Sequence, residues 1–284
     1  MIADTINAAA HKNVLFLGET ITDVYHFGNA IGMPRKAPII AMRYSRTETF
    51  QGGVIAAARH AESFCATVHV ASARRIVKER YVEESHSRKL FEVYGGNESI
   101  EVPFMPCLSD YDAVVVTDYG HGMFNAALIE RLCAEARFLA VNVQTNAGNY
   151  GFNLATKWPH ADYLCMDEVE ARLATQNLDD VIEGSVEELA CIAPRVAVTL
   201  GRDGAIGTGG VRVPAFRDVT VDTMGAGDAF FAVTAPIAED ASMEDLLLIG
   251  NAAGALKAQV LGHRQAVTKH ALLGYLEKAL RANR

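Results

Sequence analysis

Residues 221–230 combine a glycine turn with one carboxylate, in the order Val-Asp-Thr-Met-Gly-Ala-Gly-Asp-Ala-Phe. The turn joins an apolar, strand-like approach to a helix start, so the amides of Gly225, Ala226 and Gly227 converge at the positive helix end. Asp228 beside them suits proton abstraction from an alcohol, while the amides stabilise charge on a transferring phosphoryl group. The alternative interpretation is a glycine-rich helix start in which Asp228 only complements the helix dipole.

A second acidic group, Asp167 and Glu170, lies three residues apart at the predicted start of another helix. This spacing places both carboxylates on one helix face, where they can bind Mg²⁺ through water. The same pair also fits a plain acidic helix start that holds no metal. The sequence leaves both interpretations open.

Two glycine segments near the N-terminus offer contacts to a substrate. Gly18 ends an apolar strand, and Asp23 lies in the loop expected to follow. Asp23 there either hydrogen-bonds paired sugar hydroxyls or only forms a turn. Gly52 and Gly53 open a helix whose small residues allow a ligand to approach closely.

Composition and missing motifs exclude several functional classes. The 284 residues carry a formal net charge of −8, which argues against nucleic acid or an anionic membrane as partner. The GxGxxG turn of dinucleotide-binding folds and the GxxxxGK[ST] P-loop are both missing. The five cysteines form no Cys-x-x-Cys pair, so we expect reduced structural thiols. No signal peptide or membrane-spanning run is visible, which predicts a cytoplasmic protein.

The elements that must position these residues alternate between strands and helices. Apolar, β-rich runs, several followed by helical spacing, occur at 14–18, 68–71, 112–117, 138–143, 163–166 and 196–200. Such units connect parallel strands by right-handed crossovers, which predicts an α/β fold with a mostly parallel central sheet. No linker or repeat divides the chain, so we expect a single domain over residues 1–284.

We expect segments 25–50 and 74–104 to form a small β-sheet that covers the site as a lid. The first segment contains two X-Pro steps, which disfavour helix, and extended apolar residues. Six basic residues lie at the start of the second, namely Arg74, Arg75, Lys78, Arg80, Arg88 and Lys89. Most of them fit a solvated face balanced by glutamates, but one or two can face a substrate phosphate.

Taken in chain order, these motifs resemble those of the ribokinase-like (PfkB) carbohydrate kinases. The resemblance rests on Gly-Glu-x-x-x-Asp at 18–23, Gly52-Gly53, the Asp167/Glu170 pair, Thr-Leu-Gly-x-x-Gly at 199–204 and the signature at 222–228. Asp-Tyr-Asp-Ala at 110–113 and Asp-Tyr-Gly-x-Gly at 118–122 look most like heptose-phosphate kinases, as in the kinase half of ADP-heptose synthases.

The resemblance implies a three-layer ribokinase-like fold with a β-sheet lid, which in this family often also forms a homodimer. It implies ATP and Mg²⁺ as cofactors, with a monovalent cation as a further candidate. It assigns Asp228 as the catalytic base, residues 225–227 as the anion hole, and Asp23 with Gly52 and Gly53 as sugar contacts.

The same resemblance assigns nucleotide contacts to Thr199, Gly201, Gly204 and Asn251. For Asn251, packing within a small-residue helix is the alternative interpretation. The leading hypothesis is therefore an ATP-dependent kinase that phosphorylates a hydroxyl of a sugar or a sugar phosphate. The expected acceptor is similar to a heptose phosphate. The alternatives are a catalytically lapsed sugar- or nucleotide-binding regulatory module, and a nucleoside or vitamin kinase of the same fold.

The sequence departs from the family pattern in four places. Ala56 stands where an Asn usually contacts the sugar, and His121 where the heptose-kinase branch often has Lys. Gln144 ends an Asn-Val-Gln run that replaces Asp-Pro-Lys, and Asp167 replaces a usual Asn. Because these changes fall more on the substrate side than on the catalytic side, we expect an unusual sugar or sugar phosphate.

Overall fold

A computed structural model describes residues 2–86, 88–95, 105–178, 181–216 and 218–282. Its strands are β1 (Asn13–Gly32), β2 (Ala41–Gly53), β3 (Thr67–Glu83), β4 (Arg88–Gly95), β5 (Ala113–Asp118), β6 (Leu139–Val143), β7 (Tyr163–Asp167), β8 (Arg195–Thr199), β9 (Ala205–Gly207) and β10 (Val211–Val213). Its α-helices are α1 (Ile2–Asn7), α2 (Val54–Ala61), α3 (Ala126–Glu135), α4 (Glu168–Thr175), α5 (Ile182–Leu189), α6 (Ala226–Thr234), α7 (Met243–Ala258) and α8 (Lys269–Ala282).

The strands form one sheet in the order β10-β9-β8-β7-β6-β5-β1-β3-β4, with β2 paired to β1. The pairs from β3 through β1, β5, β6 and β7 to β8 are parallel, and β9 and β10 add an antiparallel edge. The predicted α/β fold with a mostly parallel central sheet is confirmed. Within the described residues, no helix is both long and apolar enough to span a bilayer.

Strand β1 is longer than the sequence predicted. Its first part pairs with β5 from Val14↔Ala113 to Gly18↔Thr117, and the strand then continues without a break to Gly32. The expected loop around Asp23 is wrong, because Asp23 has ladder partners on both sides, in β2 and in β3. Its carboxylate therefore projects from a sheet and not from a turn.

Beyond the central sheet, four strand segments run on as a smaller sheet in the order β2-β1-β3-β4. We call this extension the lid sheet; it comprises β2, β4 and the C-terminal parts of β1 and β3. It occupies most of the two segments predicted to form a lid. Residues 87 and 96–104 of those segments lie outside the described residues.

The core lies on both faces of the central sheet, which gives three layers. Along β1, Val14 and Phe16 pack into one apolar cluster with α2, α6, α7 and α8. Leu15 and Leu17, on the opposite face, pack into another with α3, α4 and α5. Strands buried on both faces are typical of parallel sheets and explain the uninterrupted apolar runs in the sequence.

Candidate active site

The turn before α6 adopts a conformation that favours glycine. Gly225 has a φ of +75° and directly precedes Ala226, the first residue of α6. A Cβ added to Gly225 would lie 3.2 Å from Cε1 of His263 and 3.3 Å from Cε of Lys257. Backbone strain and close neighbours thus both favour glycine here, and the helix start carries no side chain at this point.

The three amides predicted to form the anion hole differ in their partners. The Ala226 N–H donates to the carbonyl of Thr223 at 3.2 Å. The N–H groups of Gly225 and Gly227 have no acceptor among the described residues. Because free amides at a helix N-terminus bind anions, Gly225 and Gly227 are the donors left for a phosphoryl group. Their role as an anion hole stays a prediction.

Asp228 lies in the first turn of α6, where two side chains hold one of its oxygens. The Tyr119 hydroxyl donates to Oδ1 at 3.1 Å, and Nε2 of Gln144 donates to the same oxygen at 2.6 Å. Burial, together with the charge of Asp228, holds the pKa of Tyr119 well above its usual value, so the hydroxyl stays a donor. Among the described residues, none donates to Oδ2, which leaves that oxygen to accept a substrate proton.

Asn142 fixes which way the Gln144 amide points. Nδ2 of Asn142 donates to the Cys165 carbonyl at 2.9 Å, so its Oδ1 faces Gln144 and accepts from Nε2 at 2.8 Å. Gln144 must therefore turn its NH₂ group toward Asn142 and Asp228. Sequence reasoning counted Gln144 among substrate-side changes, whereas the structure places it against Asp228.

Glu19, on β1, anchors the loop that carries Tyr119. Its buried carboxylate accepts hydrogen bonds from the amides of Tyr119 and His121, both at 3.2 Å, and of Met123 at 3.3 Å. The sequence offered only the Gly-Glu dipeptide as a signal, and Glu19 was not among the predicted site residues. His121, a departure from the family pattern, contributes its backbone to this anchor.

The stability of the folded protein should depend on pH through Glu19. Burial, with a smaller effect of Asp118, raises the pKa of Glu19 from 4.5 to about 7. Because the folded state then binds the proton more tightly than the unfolded state, this contribution to stability is lost as pH rises from about 4.5 to about 7. Relative to Glu19→Gln, which does not titrate, the wild-type unfolding free energy should fall by up to about 3 kcal/mol.

Urea denaturation of both proteins between about pH 4 and pH 8 measures this difference. The part of the difference in unfolding free energy that does not change with pH reflects the hydrogen bonds that glutamine cannot accept. If the difference in unfolding free energy between the wild type and Glu19→Gln does not change with pH, the pKa of Glu19 is not raised.

Asp167 and Glu170 form a reciprocal cap at the start of α4. Oδ1 of Asp167 accepts from the Glu170 amide at 2.8 Å, and Oε2 of Glu170 accepts from the Asp167 amide at 2.8 Å. The second oxygen of Glu170 accepts from the Thr145 amide at 2.7 Å. Asp167 and Glu170 therefore cap the start of α4, as the alternative interpretation of this acidic pair predicted.

The same pair also fits a Mg²⁺ ion held through water. Burial, with smaller effects of the charges of Asp167 and Asp228, raises the pKa of Glu170, and a cation bound nearby would favour its ionised form. Among the described residues, no group of three or more His, Cys, Asp and Glu side chains is placed to hold a metal. Because the backbone already occupies both oxygens of Glu170, coordination through water suits this donor set best.

The predicted sugar contacts lie together at the junction of the central sheet and the lid sheet. Asp23 is 3% exposed, and its two oxygens pair with Arg80 and with Nε2 of His263, the latter at 3.3 Å. A Cβ on Gly52 would overlap Oδ2 of Asp23, so this approach requires glycine. Gly53 follows directly and begins α2 as its N-cap. Sugar binding by these residues stays a prediction.

His263 joins the two predicted clusters, although no sequence motif indicated it. Its side chain is 7% exposed and lies between Gly52 and Gly225, within 3.4 Å of a Cβ placed on either. Its Nδ1 is buried without a hydrogen-bond partner among the described residues. His263 is thus an additional polar group at the boundary between the sugar contacts and the anion hole.

Basic residues of the lid sheet lie near two carboxylates of the site, Asp23 and Asp222. Arg80 also pairs with Glu92 at 3.3 Å, and Nζ of Lys89 lies 3.1 Å from Oδ1 of Asp222. Lys78 is only 7% exposed, yet it forms no ion pair with any described residue. Of the other basic residues predicted here, Arg88 is exposed, and the side chains of Arg74 and Arg75 lie outside the described part of the chain.

The predicted nucleotide contacts lie at the other edge of the sheet. Thr199 ends β8, and Gly201 and Gly204 belong to the turn that leads to β9. Nδ2 of Asn251 donates to the carbonyls of Val213 at 3.0 Å and Pro214 at 3.2 Å. The structure thus shows a packing role for Asn251, and nucleotide binding by these residues stays a prediction.

Ala56, the remaining departure, is 3% exposed and lies in α2. A methyl group offers no hydrogen bond, so this position contributes no polar contact to a substrate. The polar groups nearest the predicted sugar site come instead from the lid sheet and from His263.

Comparisons with known proteins identify a family and a fold that this chain resembles. Residues 124–270, just over half of the chain, match the family model described as pfkB family carbohydrate kinase. The bifunctional protein HldE of Citrifermentans bemidjiense is 24% identical, over 89% of this chain and 61% of its own length. The chain thus spans about three fifths of the length of that relative.

Solved structures share the fold at low sequence identity. Arabidopsis thaliana ribokinase complexed with ribose and ATP superposes with a TM-score of 0.66 at 15% identity, over 94% of this chain and 99% of that one. Escherichia coli phosphofructokinase-2 in complex with potassium gives a TM-score of 0.68 at 16% identity, over 95% of this chain and 100% of that one.

Proposed function

Since the chain belongs to the pfkB family of carbohydrate kinases, we propose that it transfers the γ-phosphoryl group of ATP to a hydroxyl of a phosphorylated sugar. The observation that carries this proposal is the position of Asp228, which has one free oxygen beside the unpaired amides of Gly225 and Gly227. A base and an anion site side by side are what phosphoryl transfer to an alcohol requires.

In the proposed reaction, Oδ2 of Asp228 takes the proton of the acceptor hydroxyl. The hydroxyl oxygen forms a bond to the γ-phosphorus as the bond from phosphorus to the β,γ-bridging oxygen breaks, and ADP leaves. The amides of Gly225 and Gly227 stabilise the charge on the transferring group. Mg²⁺, when held near Asp167 and Glu170, supplies charge neutralisation to the phosphates.

The charges of the lid sheet support a phosphorylated acceptor. Asp23 provides a carboxylate with further lone pairs for sugar hydroxyls, and Lys78 provides a buried ammonium without an ion-pair partner among the described residues. Its Nζ lies 5.1 Å from the centre of the Tyr94 ring, and burial lowers its pKa, so a ligand of opposite charge would stabilise the ammonium form. The resemblance of residues 110–122 to heptose-phosphate kinases makes a heptose phosphate the first acceptor to test.

The test is ADP release from ATP across heptoses, hexoses, pentoses and nucleosides, each with and without a phosphate group. We expect turnover with at least one sugar and lower KM values for the phosphorylated acceptors. No phosphoryl transfer to any sugar would contradict the kinase assignment. Turnover restricted to nucleosides would favour a nucleoside kinase of the same fold.

Lys78→Met should raise the KM of the best phosphorylated acceptor about tenfold and leave kcat within about twofold, since one charge-assisted contact is lost. The unphosphorylated analogue should show no such change. Arg88→Met, an exposed cation on β4, is the matched control and should behave as the wild type. Equal effects of Lys78→Met on both acceptors would remove Lys78 from phosphate recognition.

We also propose that the chain forms a homodimer through the lid sheet. Large apolar side chains are exposed on this sheet and in the turn between β1 and β2, namely Ile31, Ile39, Ile40, Tyr44, Phe91 and Val93. Clustered exposed apolar groups on a folded domain are typical of protein–protein contacts.

A further inference from the structure

Lys257, on α7, extends beneath the glycine turn that opens α6. The residue is 1% exposed, and its Nζ donates to the backbone carbonyls of Met224 and Gly262, both at 2.8 Å. A third carbonyl, that of Val260, lies 3.5 Å away. We call these three oxygens the carbonyl cage. No carboxylate of the described residues forms an ion pair with Lys257.

The carbonyl cage joins two loops of the site. Asp222 accepts hydrogen bonds from the amides of Met224 and Gly262, at 3.1 and 3.0 Å. Lys257 donates to the carbonyls of the same two residues. Together they hold the turn before Gly225 against the turn before His263. Lys257 thus contacts the residue directly before Gly225, whose amide is unpaired.

A ring of neutral backbone oxygens is a characteristic binding environment for a monovalent cation, because the carbonyl dipoles replace its hydration shell. An ammonium group carries the same single charge and presents compact donors to such oxygens. Burial lowers the pKa of Lys257, while the neighbouring carboxylates of Asp222 and Asp228 oppose that shift and favour the ammonium form. Since the chain's own ammonium fills the cage, the described residues do not fit a free monovalent cation here.

We propose that Lys257 acts as a tethered monovalent cation that holds the anion hole in place, so that this kinase needs no free K⁺ or Na⁺. The role of the Gly225 turn in this proposal rests on the proposed function. Lys257 is a positioning residue, since it contacts the loops and not the reacting atoms.

The first test measures wild-type turnover at constant ionic strength in the chlorides of K⁺, Na⁺, Li⁺ and choline. Rates within about twofold of each other are expected. Lys257→Met keeps the apolar stem and removes the charge; it should lower kcat about tenfold in choline chloride, because the charge-assisted hydrogen bonds that hold the two loops are lost. K⁺ or NH₄⁺ should restore most of that loss, and Li⁺, which dehydrates less readily, should not.

The second test needs no substrate. K⁺ should raise the melting temperature of Lys257→Met by a few degrees relative to choline, and should leave the wild type unchanged, because only the variant has an empty cage to bind it. Lys278→Met, on the exposed side of α8, is the control and should respond to no cation in either assay. If Lys257→Met does not fold, Lys257→Gln keeps a donor without the charge and allows the same measurements.

A wild-type enzyme stimulated severalfold by K⁺ would overturn the proposal. So would a Lys257 variant that K⁺ neither reactivates nor stabilises. A chain without kinase activity on any acceptor would contradict the proposed function instead, and the melting temperatures would still decide whether the cage binds K⁺ once Lys257 is replaced.

Discussion

Asp228→Asn should lower kcat about 10³-fold, the size of effect expected when a general base is removed from a proton-transfer step. The asparagine oxygen can still accept from Tyr119 and Gln144, which both donate to Oδ1 of Asp228. Its NH₂ group then occupies the place of Oδ2 and cannot take a proton. The variant therefore removes the base and keeps the hydrogen bonds that orient it.

Single-turnover and steady-state assays with the best acceptor measure this loss, and calorimetry with ATP tests whether nucleotide binding survives. We expect the ATP dissociation constant to change by less than about threefold, because Asp228 acts on the acceptor. Tyr119→Phe is the matched control, since it removes one donor and leaves the carboxylate; about tenfold is expected. Equal turnover by Asp228→Asn and the wild type would exclude Asp228 as the base.

The fold was predictable from the sequence wherever one segment carried its own signal. The apolar runs predicted at 138–143, 163–166 and 196–200 correspond to β6, β7 and β8, because strands buried on both faces of a parallel sheet are short, continuous and apolar. The continuation of β1 past Gly18 was not predictable. Its residues are held in the ladder by β2 and β3, which lie far along the chain and give no local signal.

The residues of the site also fall into a group that the sequence predicted and a group that it did not. Asp228 and the Gly225 turn lie within one contiguous motif, so sequence reasoning found them. The groups that orient them come from separate elements that only the fold brings together, namely Glu19, Tyr119, Gln144, Lys257 and His263. No spacing along the chain relates these residues, and each of them alone is an ordinary polar side chain.

Gln144 has the largest effect expected among these orienting residues. Its Nε2 lies 2.6 Å from Oδ1 of Asp228 and is held there by Asn142. A carboxylate at this position, in Gln144→Glu, would share a proton with Asp228 at neutral pH, because two like charges in contact cannot both ionise at little cost. The base would then be partly neutralised at the pH where the wild type works.

We therefore expect Gln144→Glu to shift the acid limb of the kcat profile upward by about two units, so that kcat at a pH on that limb falls by up to about 10²-fold and recovers as the pH rises. Gln144→Lys has the opposite charge and should move the acid limb to lower pH. The other titratable groups that face Asp228 stay the same in both variants, namely Lys78, Tyr119, Cys165, Glu170 and Lys257.

The pH dependence of kcat, measured for the three proteins with one acceptor, separates this effect from a loss of structure. A merely structural role for Gln144 predicts lower activity in both variants, with acid limbs at the same pH. A charge acting on the base predicts limbs displaced in opposite directions and equal melting temperatures. If the acid limbs of the three proteins coincide, Gln144 does not act through Asp228. If Asp228→Asn is inactive in the same assays, the assignment of Asp228 as the base still holds.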